Sequence, residues 1–181
     1  FVQTTSQKTF LAPRFDYQSI ASRFSIDLSQ CQNLEECIKT IHSYFLHQLE
    51  IKNVNVYLQE YFGFSDTFDT LLLHNKDNKI DLNDTLQIST FTNIFQKSSV
   101  VLVEELDDDI DIKKELLNND IDIICASRSR DKVNSIILLG LKLSEDPFTQ
   151  EDIDLLNIIA PQIGTVLDRI KPYEKVKQEY E

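Results

Sequence analysis

Glycine and proline are scarce: three and four residues in a chain of 181. So few glycines could hardly build a phosphate-cradling loop, and no GxGxxG, Walker or GxSxG pattern occurs. HExxH is absent too. The three cysteines, Cys31, Cys37 and Cys125, are too few and too scattered for a disulfide framework, and no CxxC pair offers a structural zinc site. They read as small buried apolar residues in a reducing cytosol. Nowhere is there a run of the ~18 apolar residues that a membrane-spanning helix needs, nor a signal peptide. Positive charge is also short: 18 Lys and Arg against 30 Asp and Glu leave a net charge of −12. A surface of that sign repels phosphate backbones, so neither nucleic acid nor an anionic membrane is expected as a partner.

What is present suits one folded domain. Hydrophobic residues make up 41% and charged residues 27%, enough for a buried core and against disorder. The chain begins at Phe1 and ends in an unfinished charged helical stretch, so a piece of a longer protein is expected.

Residues 1–15 form a polar lead-in, broken at Pro13. A helix follows from Asp16, with Ile20, Phe24, Ile26 and Leu28 near one side. Asn33 with Glu36 three residues on makes a capping-box start for a second helix to about Leu49. Strict alternation over 53–59 predicts a half-buried strand, with Val54, Val56 and Leu58 opposite Asn55, Tyr57 and Gln59. Strands are expected at 67–74, 79–86, 100–103, 121–127 and 133–141, and short helices at about 90–97 and 109–118. The polar stretch 128–132 between the last two strands is of hairpin size. Strands grouped between helices indicate an α+β fold with a mostly antiparallel sheet.

No constellation argues for catalysis. The acidic run 104–111 invites a calcium loop starting at Asp107, but Ile112 stands where glycine is needed and Asn118 where glutamate is needed. The better reading is carboxylates gathered at a helix start, with Lys113 and Lys114 behind them. His42 and His47, five apart, fall on different faces of a regular helix, and with His74 they form no ligand set. Arg128, Arg130 and Lys132 could meet an anion; ordinary solvation is the favoured account of such a turn.

The final stretch carries the most pattern. Thr149 and Asp152 predict an N-cap, and Phe148 with Ile153 a hydrophobic staple. Leu156, Ile159, Ile163, Val166, Ile170 and Tyr173 then step by three and four, a heptad-like seam that either meets a second helix or lies in the chain's own core. Pro161 and Pro172 fall inside it, where each removes a helix hydrogen bond at a typical cost of about 3 kcal/mol.

From about Asp16 to Tyr173 the sequence resembles the GAF family of sensory domains. "VNSIILLGLKLSEDPFTQEDIDLLNIIAPQIGTVLDRI" is similar to the family's closing strand, loop and terminal helix. "FDYQSIASRFSIDLSQCQNLEECIKTI" resembles the lead-in of GAF domains in bacterial membrane-bound sensor histidine kinases. The resemblance implies a central, mostly antiparallel sheet with N- and C-terminal helices on one face and short helices roofing the other. It implies a cytosolic sensory module of a two-component system that binds a small-molecule effector or relays movement. A domain over 16–173 would lead into a downstream signalling helix from 174–181 and a kinase region, as a homodimer with no membrane insertion of its own. Asn55 and Tyr57 would floor the ligand cavity, joined by Cys125 and Ser127. The 156–173 seam would be both core and output shaft, with Pro161 kinking it as it leaves the sheet and Pro172 marking the domain's end.

Departures from the family narrow this. Lys142, Phe148 and Asp152 match the pattern of cyclic-nucleotide-binding members, but Leu141 and Ile153 replace its Asn and Glu, so cyclic nucleotide is not expected. Cys125 precedes Ala126, not His, so no covalent bilin is expected, and no other cofactor is predicted. Haem would need one of the three histidines. Asp131 and Ser135 stand where related kinases often carry glycine, which implies a looser hairpin. Two alternatives share the fold: a free methionine sulfoxide reductase acting through cysteine, and a ligand-free dimerisation domain.

Overall fold

The computed structural model describes residues 16–59, 68–69, 94–95, 98–108 and 111–180. The expected strand at 79–86 lies outside these residues, as do most of the strand at 67–74 and of the helix at 90–97.

Helix α1 spans Tyr17–Gln30, started by Asp16, whose carboxylate accepts from the Ser19 amide. Helix α2 spans Leu34–Ser43. Its capping box forms: the Asn33 side chain accepts from the Glu36 amide, and the Glu36 carboxylate accepts from the Gln32 amide. The helix does not continue regularly to Leu49. A π turn, Tyr44–Gln48, replaces the last stretch, closed by Leu49 N–H on the Tyr44 carbonyl. The charge of His47, within this turn, adds to burial in disfavouring protonation of His42. Tyr44 packs edge-on against Phe24 at 4.9 Å and donates to Asp27 Oδ2 at 2.6 Å, fixing the π turn to α1.

Five described strands form one antiparallel sheet: β1 (Val54–Gln59), β2 (Phe68–Asp69), β3 (Val100–Leu102), β4 (Ile121–Ser129) and β5 (Lys132–Gly140). Their order is β2-β1-β5-β4-β3. β3 is cut short because Val103 opens a 3-10 turn, Val103–Glu105, ahead of α3 (Asp111–Asn118). The β4–β5 hairpin is tight, contrary to the looser turn implied by Asp131 and Ser135. Only Arg130 and Asp131 lie between the strands, with φ of 50° and 64°, the left-handed pair of a two-residue turn whose twist matches the strands.

Each face of the sheet carries its own core. Val54, Val56, Leu58, Ile123, Cys125, Ile137 and Leu139 pack with α1, α2 and the last helix. Tyr57, Ile124, Ala126, Ile136 and Leu138 face the other way, against Phe95, Val103, Leu106, Ile112 and Leu116. This is the α+β, GAF-like arrangement expected from the sequence.

Helix α4 runs without interruption over Gln150–Tyr180, through both prolines. Pro161 and Pro172 lie on its exposed side, where water can satisfy the carbonyls they leave unpaired. Pro172 does not end the helix; among the described side chains Ile170 is its last buried one. The helix lies low on the sheet at Gly164: a Cβ there would stand 2.1 Å from the Arg128 carbonyl oxygen. Gly164→Ala should therefore destabilise the domain by roughly 1–3 kcal/mol through overpacking, despite the ~1 kcal/mol that alanine gains in helix propensity. Urea unfolding measures this, and a neutral or stabilising result would contradict the close approach.

Candidate functional site

Strand register decides which candidate residues meet. Tyr57 pairs with Ile136, which pairs with Ala126; Val56 pairs with Ile137, which pairs with Cys125. Tyr57 is therefore on the roof-side face, with half-buried Asn55 one step along its strand on that side. Cys125 and Ser127 are on the opposite face, under α4, and do not share a floor with Asn55 and Tyr57. Ser127 donates to Asn134 Oδ1 at 2.7 Å and shares a 2.5 Å hydrogen bond with Ser135. Asn134 in turn donates to the Gly164 carbonyl at 2.8 Å and to Asp168 at 3.3 Å. These groups tie the hairpin to α4.

Cys125 is fully buried and its thiol is pushed up to about 12 by burial; burial and nearby Cys31 push Cys37 to about 12 as well. Both stay protonated at neutral pH, which is the wrong state for a nucleophile. A reductase working through either thiol gains no support from this burial.

The match to the cyclic-nucleotide pattern has a structural use. Asp152 is 7% exposed and joins three elements. It accepts from Lys142 Nζ at 2.5 Å, from the Thr149 amide at 2.7 Å and hydroxyl at 2.9 Å, and from Tyr17 Oη at 2.8 Å. Lys142 also sits 5.3 Å over the Phe148 ring. Burial works against the Asp152 carboxylate, but these donors outweigh it and hold its pKa below the ordinary 3.8. A depressed carboxylate stabilises the fold above its unfolded pKa and loses that contribution as pH falls through the folded one. Asp152→Asn should cost roughly 3 kcal/mol at neutral pH by leaving Lys142 unpaired. Its stability should also fall less steeply than wild type below about pH 4; denaturant midpoints at several pH values read both effects, and parallel curves would contradict the clasp.

Sequence spacing gave no sign of two further ties. Arg169 donates to the Ser29 and Cys31 carbonyls at 2.9 and 2.8 Å, capping the C-terminal end of α1 from α4. Beside it lies an open groove of about 530 Å³ lined by Ser29 to Gln32, Arg169, Ile170 and Tyr173. In the acidic run, Lys113 fills the place a cation would take: its Nζ donates to Asp108 Oδ1 and to the carbonyls of Leu106 and Glu104 at 2.7, 2.6 and 3.0 Å. Among the described residues no group of three or more His, Cys, Asp or Glu is arranged to hold a metal.

The seam on α4 is mostly used within the chain. Leu156, Ile159, Ile163 and Ile170 are buried in the helix-side core and Val166 packs against it, whereas Tyr173 is 72% exposed. The first five form the chain's own core, not a surface open to a second copy; only Tyr173 projects.

His42 is a further, half-buried titratable group. Burial, then His47, lowers its pKa from 6.5, partly offset by a bond to the Val54 backbone, and its Nε2 has no partner. The unfolded chain therefore takes up this proton first, so stability present above about pH 6.5 is lost as pH falls below it. His42→Gln should flatten the drop in denaturant midpoint between about pH 7.5 and about 5.5; an unchanged drop would assign it elsewhere.

Several solved structures share this architecture, two of which follow. One is the GAF domain of a two-component sensor histidine kinase from Bacillus halodurans, with TM-score 0.58 and 11% identity, covering 80% of this chain and 99% of that one. The other is a methyl-accepting chemotaxis protein, residues 122 to 287, with TM-score 0.57 and 14% identity, covering 85% of this chain and 98% of that one. No family model matches the chain, and no curated protein does. The likeness defines the fold as GAF-like. Among the described residues no helix is long and apolar enough to cross a membrane.

Proposed function

We propose that the chain is a regulatory sensory module, not an enzyme, whose last helix passes conformational change to a segment beyond it. The observation that carries this is the split character of α4. Up to Ile170 it is a wall of the core. Beyond, Tyr173, Val176 and Tyr180 are 72, 53 and 87% exposed, at helical spacings of three and four. That strip is apolar and has no covering element among the described residues. A second copy in parallel covers it, and the chain acts as a homodimer in the cytosolic part of a bacterial sensor histidine kinase. An effector bound between the sheet and the roof-side elements biases the dimer through β4 and α4. The likeness to a sensor-kinase GAF domain and to a chemotaxis protein supports the signalling role.

The buried seam changes which substitutions test this. Placing Glu at Ile163 or Ile170 would unfold the domain, because both lie in its core. Tyr173→Glu with Val176→Glu should leave the melting temperature unchanged. Joined to a histidine-kinase transmitter, the double variant should weaken both association and autophosphorylation tenfold or more, since burying even one such side chain is worth about 1.5–3 kcal/mol. Sedimentation and a phosphorylation assay read the two effects; a fusion indifferent to both substitutions would contradict the reading.

A further inference from the structure

Of the three basic residues around the hairpin, Arg130 and Lys132 are exposed and Arg128 is not. Arg128 folds over the roof-side face, where its Nη2 donates to the carbonyl of Phe95, a residue of that core. Its Nε is buried and has no acceptor. Among the described residues no carboxylate pairs with it. A guanidinium does not lose its charge at any physiological pH, and buried donors are nearly always satisfied. An unpaired N–H here can take an acceptor, and a negatively charged one answers both the charge and the bond. Ala126 lies two residues before Arg128 on the same face and is the smallest side chain of its layer, in line across β5 with Ile136 and Tyr57. The exposed Arg130 and Lys132 add local positive charge to a chain that is acidic elsewhere.

We propose that Arg128 anchors an anionic effector on the roof-side face: a small molecule whose carboxylate or phosphoryl oxygen accepts from Nε–H. This names the ligand class for the sensory reading above and rests on it for its meaning, though not for its test. Two probes separate the sources of the anion, sodium succinate and sodium phosphate, each compared with sodium chloride at equal ionic strength. One of them should raise the melting temperature of the wild type, and of Arg130→Gln, by about 3 °C or more. The same probe should shift a single arginine Nε–H resonance that is missing from Arg128→Gln. Arg128→Lys, which keeps charge but has no Nε–H, should lose most of the response. The resonance shift in wild type tests the idea even if the variants fold poorly. Absence of any probe-specific stabilisation and shift in wild type would overturn it. So would a full response in Arg128→Gln, or a response lost in Arg130→Gln instead. Anion binding alongside a transmitter fusion that ignores the α4 overhang would sink the sensory reading alone; a responsive fusion with no anion binding would sink this proposal alone.

Discussion

Backbone meets backbone where α4 crosses β4, and Gly164 is what lets it. No side chain larger than hydrogen fits, since a Cβ would stand 2.1 Å from the Arg128 carbonyl oxygen. Because the helix lies so low, Asn134 can reach the Gly164 carbonyl from β5. Leu156, Ile159, Ile163 and Leu167 can pack into the core that Cys125 and Ile137 share. One and a half turns on, Arg169 can reach the end of α1. The Asp152 clasp holds the opposite end of the helix to α1 and to Lys142, two residues beyond β5. The helix is fixed at its start, its middle and the end of its buried part; beyond Ile170 and its immediate neighbours no described side chain is buried, and the one recorded tie is the charge of Lys177 acting on Glu35 of α2.

That arrangement gives the sheet two different duties. One face is closed by helices that are tied to one another through charge and hydrogen bonds. The other is closed by shorter elements around Phe95, Leu106 and Leu116. β4 belongs to both. The side chain of Arg128 lies on the roof side, while its carbonyl lies against Gly164 on the helix side. A ligand engaging that guanidinium acts on the residue whose backbone bears the sheet–helix contact. Coupling by this route needs no long chain of intermediates, only a strand that shifts against a helix with little clearance.

How much of this the sequence revealed depended on the range of each interaction. Local patterns were legible: the Asn33–Glu36 cap, the alternation in β1, the Thr149–Asp152 start of α4 and the periodicity of its apolar side. Each is decided within a few residues. The tight hairpin was not legible, because Arg130 and Asp131 adopt positive φ without the glycine or asparagine that usually announces it. The π turn gave no compositional sign. Cys125 and Tyr57 could be sorted onto opposite faces only once the β1–β5–β4 register was fixed. The Tyr17–Asp152 bond and the Arg169 cap join residues more than a hundred positions apart, and no spacing rule reaches that far. Periodicity on α4 gave the apolar side correctly but could not say whether its partner was the sheet or another chain.

The central claim is that α4 is core wall as far as Ile170 and free shaft beyond it. Hydrogen exchange along α4 in the monomer tests this most directly. The account predicts that amides from about Leu155 to Ile170 exchange only through global unfolding, while those from Tyr173 to Tyr180 exchange orders of magnitude faster and slow down on association. Exchange of the Ile159–Leu167 stretch well below the global unfolding limit would contradict it, and so would strong protection of the last two turns in a strict monomer.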